Sequence, residues 1–257
     1  LASEAAERIA AAHRNGQAIP RLDPLLRPAD VAAAYLIQDD VAAVLGPIAG
    51  WKVGRNPADG LDTCAPLFRS RIFSGGPAPT PASLLGTALE IEFAFRVGAD
   101  LLPREESYTL AEVAEAIDAF VPLVELVGGR FLDRPNLSPP EQLADGYGAA
   151  VFVGTPVADW SGLDFAALRA ELRIDGKPVQ SACDAHPAGN PLLLVVWLAN
   201  HLARRPAAGG LKRGQIVTTG GLAGVTAVTG GEQVEARYYA RDGQILAEFG
   251  LVFGLPG

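Results

Sequence analysis

Three glutamates are the residues of this chain best placed by type and spacing to do chemistry. Residues 87–97 alternate as a strand does. Leu89, Ile91, Phe93, Phe95 and Val97 fall on one face and Ala88, Glu90, Glu92 and Ala94 on the other. Positions two apart on a strand point the same way, about 6–7 Å apart at Cα. Two carboxylates that close repel each other unless water, a proton or a cation intervenes. For the pair alone, a half-exposed strand with its polar face in water is the favoured reading. A second stretch, residues 121–127, is apolar at almost every position except Glu125 and reads as a strand buried on both faces. A carboxylate there needs a partner, a proton or a metal. Three carboxylates without sulfur form a hard oxygen site that suits Mg²⁺ or Mn²⁺ rather than Zn²⁺. A buried ion pair with an arginine or lysine is the alternative for Glu125.

The elements that must carry these residues follow from the rest of the pattern. Residues 3–15 predict a helix capped by Ser3 and stopped at Asn15-Gly16, and residues 29–45 predict a second, closed by Gly46-Pro47. Together they suggest a helical N-terminal subdomain over 1–50, with a catalytic mixed-β domain over 51–257. Residues 55–82 are rich in Pro, Gly and Asp and read as a long irregular segment, of the kind that often serves as a binding loop. Thr109 and Glu112 make a capping box that opens a helix running to about Phe120. Residues 128–147 read as a polar loop and 149–157 as a short strand. Beyond that the chain is mostly β. A hairpin turns at Asp175-Gly176, an apolar helix spans 192–204 behind Asn190-Pro191, and strands are expected near 216–219, 225–228, 234–239 and 245–253. The sum is an α+β fold.

Composition narrows the function classes. The 257 residues are 49% hydrophobic and 19% charged, so the chain is globular. A formal net charge of −8 disfavours nucleic acid and anionic lipid as partners. The longest apolar run, residues 192–199, is far shorter than the roughly 20 residues of a membrane span. The first ten residues hold no secretory core. Cys64 and Cys183 are too few for a disulfide framework, so a reduced, cytoplasmic setting is expected.

Several stretches occur in a telling order: Gly50-Trp51-Lys52-Val53-Gly54, Ala65-Pro66-Leu67-Phe68, Leu89-Glu90-Ile91-Glu92-Phe93-Ala94-Phe95, Pro122-Leu123-Val124-Glu125, and His186-Pro187 ahead of Trp197-Leu198-Ala199-Asn200. Taken together the chain resembles the 2-keto-4-pentenoate hydratase and 4-oxalocrotonate decarboxylase branch of the fumarylacetoacetate hydrolase superfamily. The resemblance implies a curled mixed β-sheet core, a divalent metal (Mg²⁺ or Mn²⁺) and a 2-oxo or 2-hydroxydienoic acid as substrate. It also implies a homo-oligomer, with association to a related decarboxylase or hydratase as a wider arrangement. Glu90, Glu92 and Glu125 fall where the family binds its metal, and Lys52 falls on a lysine beside the substrate. Thr219, ahead of Gly220-Gly221, lies in a region bordering the family's site; a plain turn between strands reads as well. The implied activity is a metal-dependent hydratase in aromatic-compound catabolism. A decarboxylase of a 2-oxo-enedioic acid and a non-catalytic accessory subunit are the rivals.

The chain also departs from the family pattern. A Leu-Thr-Ser segment usually follows the lysine-glycine pair, where this chain has Arg55-Asn56-Pro57. Arg55 suits a second substrate carboxylate or a solvated surface. In Ala144-Asp145-Gly146-Tyr147-Gly148 only Asp145 matches the Asp-Asn-Ala-Ser of relatives, and it is the substrate-contact candidate there. An altered substrate and a loss of activity are both compatible with these changes. No histidine lies between His13 and His186, which disfavours the C–C hydrolase branch with its upstream histidine base. His186 reads as a loop histidine bonded to backbone rather than an acid or base. Cys64 reads as inert. Lys52 suits either orientation of a substrate carboxylate or, with a lowered pKa, proton transfer; apart from the resemblance, a surface lysine is the favoured reading.

Overall fold

The computed structural model describes residues 3–55, 60–146, 148–183 and 186–256. At its start, the Ser3 hydroxyl accepts from the Ala6 N–H and Gly16, at φ 62°, closes helix α1 (Glu4–Asn15). Asp30 caps α2 (Val31–Leu45) in the same way through the Ala33 N–H. Ile9, Leu22, Ile37 and Val41 form an apolar cluster with Phe68, Phe131 and Ala144 from later in the chain. The strands that follow are β1 (Ile48–Arg55), β2 (Asp62–Phe68), β3 (Ile72–Ser74), β4 (Gly76–Ala78) and β5 (Gly86–Val97). Residues 55–82 are therefore not one irregular segment. Pro66 misleads because β2 is the edge of its sheet, where a missing N–H costs no ladder bond.

Helix α3 (Leu110–Ala116) carries the expected capping box but stops four residues short of Phe120. Residues 117–120 join β6 (Ile117–Gly128) instead, because they pair with Phe95–Val97 of β5 and extend that ladder. The 128–147 stretch also holds a helix, α4 (Pro139–Asp145), whose capping box pairs Ser138 with Glu141. Next come β7 (Gly148–Val153) and the hairpin β8 (Arg169–Ile174) and β9 (Lys177–Ala182). Its turn has Asp175 at φ 49° and Gly176 at φ 75°, the two positive values a type I′ turn needs. Helix α5 (Leu192–Ala203) precedes β10 (Ile216–Gly221), β11 (Thr226–Ala227), β12 (Gln233–Tyr239) and β13 (Ile245–Phe253).

The strands form two mixed sheets. The larger runs β2-β1-β10-β5-β6-β7-β3, with β11 paired to the far end of β5; the smaller runs β4-β13-β12-β8-β9. β1 with β10 and β3 with β7 are parallel, and the other pairs of the larger sheet are antiparallel. Leu89, Ile91, Phe93, Phe95 and Val97 are buried in the main core as their alternation predicts, together with Leu194, Val195 and Leu198 of α5. The larger sheet is curled, and the opposite face of β5 lines its hollow. No described helix is long and apolar enough to cross a membrane.

Candidate active site

Glu90 and Glu92 leave β5 on one face, and Glu125 on β6 stands directly across from Glu90. Like charges in that position destabilise a sheet, so the arrangement calls for a compensating charge. One oxygen from each of the three carboxylates lies within 4.8 Å of the others. Glu92 and Glu125 are buried at 1% exposure, and Glu125 Oε2 has no hydrogen-bond partner among the described residues. Burial, and then the charge of Glu125, push the Glu90 and Glu92 carboxyls above their ordinary range, Glu92 well above it. An all-oxygen donor set with one buried, unsatisfied oxygen fits a hard divalent cation.

The strand partners fix how each carboxylate points. β10 carries a bulge against β5: Thr218 pairs with Ala94 but Gly221 with Glu92, one extra residue on β10. The bulge, with Gly220 at φ 96°, aims two donors at a single oxygen of Glu92. The Thr218 hydroxyl donates to Glu92 Oε2, and the Gly220 N–H donates to the same atom at 3.1 Å. Both hold Oε2, and no hydrogen bond to Oε1 is seen among the described residues. Past the bulge, a side chain at Gly221 would meet Glu90 Cδ at 2.9 Å, so the glycine makes room for that carboxylate. Beside Glu90, Gln180 of β9 takes the place of a strand. Its Oε1 accepts from Ile91 N–H at 3.1 Å and its Nε2 donates to Leu89 O at 2.7 Å. Behind Glu92, the buried Tyr238 hydroxyl lies 2.9 Å from Glu92 O and accepts from Leu123 N–H at 2.9 Å, which ties the smaller sheet to β5 and β6.

Lys52 shows what the curl accomplishes. β1 and β6 are three strand spacings apart, about 14 Å in a flat sheet, yet Lys52 Nζ lies 2.5 Å from Glu125 Oε1. Burial alone would lower the Lys52 pKa. The charges of Glu125, Glu92 and Glu90 and the bond to Glu125 outweigh it and hold the ammonium above its ordinary value. The Lys52 pKa is thus not lowered as proton abstraction would need, and the ammonium suits orientation of a carboxylate or donation of a proton.

These groups form the floor of a cavity of about 320 Å³. Cys64 and Ala65 of β2 and Val53 of β1 continue the floor, and Val31, Leu61, Pro139 and Leu143 stand at the rim. Burial pushes the Cys64 thiol up to about 12, so it stays protonated and inert.

The other expected contact residues lie outside the cavity wall. Arg55 makes a two-pronged pair with Asp62 across β1 and β2, at 2.8 and 3.1 Å. Asp145 ends α4 and accepts from the Arg130 N–H at 2.9 Å. Thr219 points to the opposite face of β10, where its hydroxyl donates to Phe93 O at 2.8 Å and lies 3.3 Å from His186 Nε2. His186 Nδ1 accepts from Ala188 N–H, so this histidine is bonded as a loop residue. Asn56, Pro57 and Tyr147 lie outside the described residues. Sequence reasoning missed Thr218 and Gln180. The two-residue period of β10 was the usable signal for Thr218, since facing Glu92 excludes facing Phe93.

A curled mixed sheet with clustered carboxylates on its inner face, and the match of residues 65–250 to the fumarylacetoacetate (FAA) hydrolase C-terminal family, define the class: the chain belongs to that family. The match includes the three glutamates and begins after Lys52. Among its relatives, a 2-keto-4-pentenoate hydratase of Paraburkholderia xenovorans (strain LB400) is 32% identical over 247 residues, covering 90% of this chain and 89% of that protein. A 4-oxalocrotonate decarboxylase of Pseudomonas putida is 25% identical over 194 residues, 75% of this chain and 65% of that one. The structure of 4-oxalocrotonate decarboxylase from Pseudomonas putida G7, complexed with magnesium and adipate, superposes with a TM-score of 0.81 at 24% identity, covering 97% of this chain and 95% of that one. The chain is an enzyme, hydratase-like in sequence along nearly its whole length.

Proposed function

We propose that the protein is a divalent-metal-dependent hydratase that adds water to a short 2-hydroxydienoic or 2-oxoenoic acid such as 2-hydroxypenta-2,4-dienoate. The observation that carries this reading is the buried, unpartnered Glu125 oxygen beside Glu90 and Glu92 at the foot of a cavity. Glu90, Glu92 and Glu125 would hold Mg²⁺ or Mn²⁺, which supplies Lewis acidity to an adjacent carboxylate and 2-oxo oxygen. Thr218 and the Gly220 N–H keep Glu92 turned so that Oε1 is left for that role. Lys52 keeps an ammonium at the floor, where it meets the negative charge of the acid and carries a proton beside Glu125. Ala65, paired with Lys52 across β1 and β2, and Leu143 at the rim are the apolar groups beside the acid.

The 25% identical decarboxylase relative favours a second reading, loss of CO₂ from a 2-oxo-enedioic acid on the same scaffold. A homo-oligomer in a reducing cytoplasmic setting belongs to both readings. Purified protein with Mg²⁺ and 2-hydroxypenta-2,4-dienoate should form a hydrated 2-oxo acid without carbon loss, and Glu92→Gln should abolish this while keeping the fold. CO₂ release from the enedioate, with no hydration of the dienoate, would replace the first reading by the second. Mg²⁺ binding without either turnover would leave an accessory subunit.

A further inference from the structure

We infer that Gln38 is a positioning residue of the reaction: its buried carboxamide ties helix α4 to the edge strand β2 and so fixes the spacing of two walls of the cavity. This rests on the reading of the glutamate triad as the seat of the oxo acid. Gln38 lies on α2, is 2% exposed, and stands behind the lining of the cavity rather than in it. β2 is the outer strand of its sheet, so one row of its backbone groups has no strand beside it. At Cys64 that row is met by α2. The Cys64 N–H donates to the Tyr35 hydroxyl at 3.4 Å, and the Cys64 carbonyl accepts from Gln38 Nε2 at 3.1 Å. Tyr35 and Gln38 are one helical turn apart and share a face. Gln38 Nε2 also donates to the carbonyl of Leu143 on α4, at 2.7 Å.

Both carbonyls belong to residues that line the cavity. Cys64 adjoins Ala65, the partner of Lys52 across β1 and β2, and Leu143 stands at the rim. One amide thus holds two walls by their main chain. Among the described residues no hydrogen bond joins α4 to β2 directly. With seven residues, α4 is too short to keep its own shape in water, so its place depends on ties of this kind. Arg21 holds it through Glu141, at 2.7 Å, and Gln38 holds its last turn. The direction of the amide is fixed as well. Nη1 and Nη2 of Arg205, just beyond α5, each donate to Gln38 Oε1 at 3.4 Å. Arg205 is itself anchored by Asp39 at 2.7 Å and by the Tyr35 carbonyl at 2.9 Å. Turned over, the amide would set its NH₂ against the guanidinium and its oxygen against two carbonyls, so one orientation alone satisfies every group.

Steady-state kinetics and Mn²⁺ titration of the full chain test this. Gln38→Met keeps the length of the side chain and removes both donors. It should raise KM for the acid the protein turns over, the dienoate or the enedioate, by about tenfold, the scale of loss from a displacement below 1 Å. The glutamates and Lys52 sit on strands the amide does not bond, so kcat and Mn²⁺ affinity should stay within about threefold. Gln38→Glu keeps an acceptor for Arg205, which guards against poor folding of the first variant, and turns an oxygen toward the two carbonyls. It should raise KM at least as far. An unchanged KM in the folded variants, with only the melting temperature lowered, would overturn the inference and leave Gln38 to the fold. A parallel loss of Mn²⁺ affinity would overturn it too, because the amide would then support the sheet as a whole. An unaltered protein that binds no Mn²⁺, or turns over neither acid, would overturn the reading of the site and this inference with it.

Discussion

At the scale of single residues, the site depends on which oxygen of each carboxylate is already occupied. Glu92 Oε2 receives both the Thr218 hydroxyl and the Gly220 N–H. Removing the hydroxyl with Thr218→Val leaves one donor and lets the carboxylate rotate. Groups that hold a metal ligand in place are worth about 10- to 100-fold in affinity, so Mn²⁺ affinity, read from the free-ion EPR signal, should fall by at least about tenfold. Thr218→Ser should restore it, and an equal loss in the serine variant would show that the hydroxyl is not the cause. Lys52 makes a different prediction. Lys52→Ala should leave Mn²⁺ bound and lower kcat by about a hundredfold, the low end of what a positioned proton-bearing group contributes. A variant that merely melts earlier, with kcat intact, would make the lysine structural. The sequence made the three glutamates and Lys52 legible because spacing and chain order mark them. It did not single out Thr218, although the two-residue period of β10 puts the neighbouring threonines on opposite faces; the β10 bulge decides which of them meets Glu92.

At the scale of elements, β5 is the member whose pairing is incomplete, and the gap lies beside Glu90. β10 pairs with β5 from Arg96 to Glu92 and β11 from Leu89 to Ala88, and Gln180 bonds the backbone between them. Gln180→Leu should strand the buried Ile91 N–H and Leu89 O, at a cost of about 2–3 kcal/mol in stability by denaturant unfolding. If the amide also positions Glu90, Mn²⁺ affinity should fall in the same variant. Lower stability with unchanged affinity would confine Gln180 to the fold. Such a contact is invisible in sequence, because a side chain replacing a strand joins residues about 90 positions apart. Local signals fared better where the cause is local. Ser3, Gly16 and the Thr109–Glu112 box mark their helix ends. The Ser138–Glu141 box that opens α4 was equally readable but hidden by the prolines around it, although Pro is well suited to the first turn of a helix. The end of α3 was not readable, because the decision to pair 117–120 with β5 is taken by the sheet.

At the scale of the whole molecule, the helical layer is fastened to the sheet through a buried cationic cluster, and this has a consequence for stability against acid. His13 of α1 is 4% exposed and sits between two guanidiniums. Arg71 Nε donates to its Nε2 at 3.3 Å, and Arg130 Nη2 lies 3.1 Å from its Nδ1. A protonated imidazolium there would have no acceptor to bond among the described residues and two like charges to face. Burial first, then Arg130 and Arg71, lower its pKa to about 3 from the ordinary 6.5. Because the folded value is depressed, the unfolded chain binds the extra proton between those limits. Stability from the neutral histidine is therefore complete above pH 6.5 and is lost progressively as pH falls toward 3. His186 and His201, each lowered to about 4 by burial, act in the same direction. His13→Gln removes one titration and leaves the others, so the difference between the two proteins isolates it. The wild type should be the more stable at pH 7, and its advantage should shrink by about 2 kcal/mol on going from pH 6.5 to pH 5. Paired denaturant unfolding at the two pH values checks this. A gap that stays constant or widens in acid would mean that His13 is already charged in the folded protein, with an anion between the arginines.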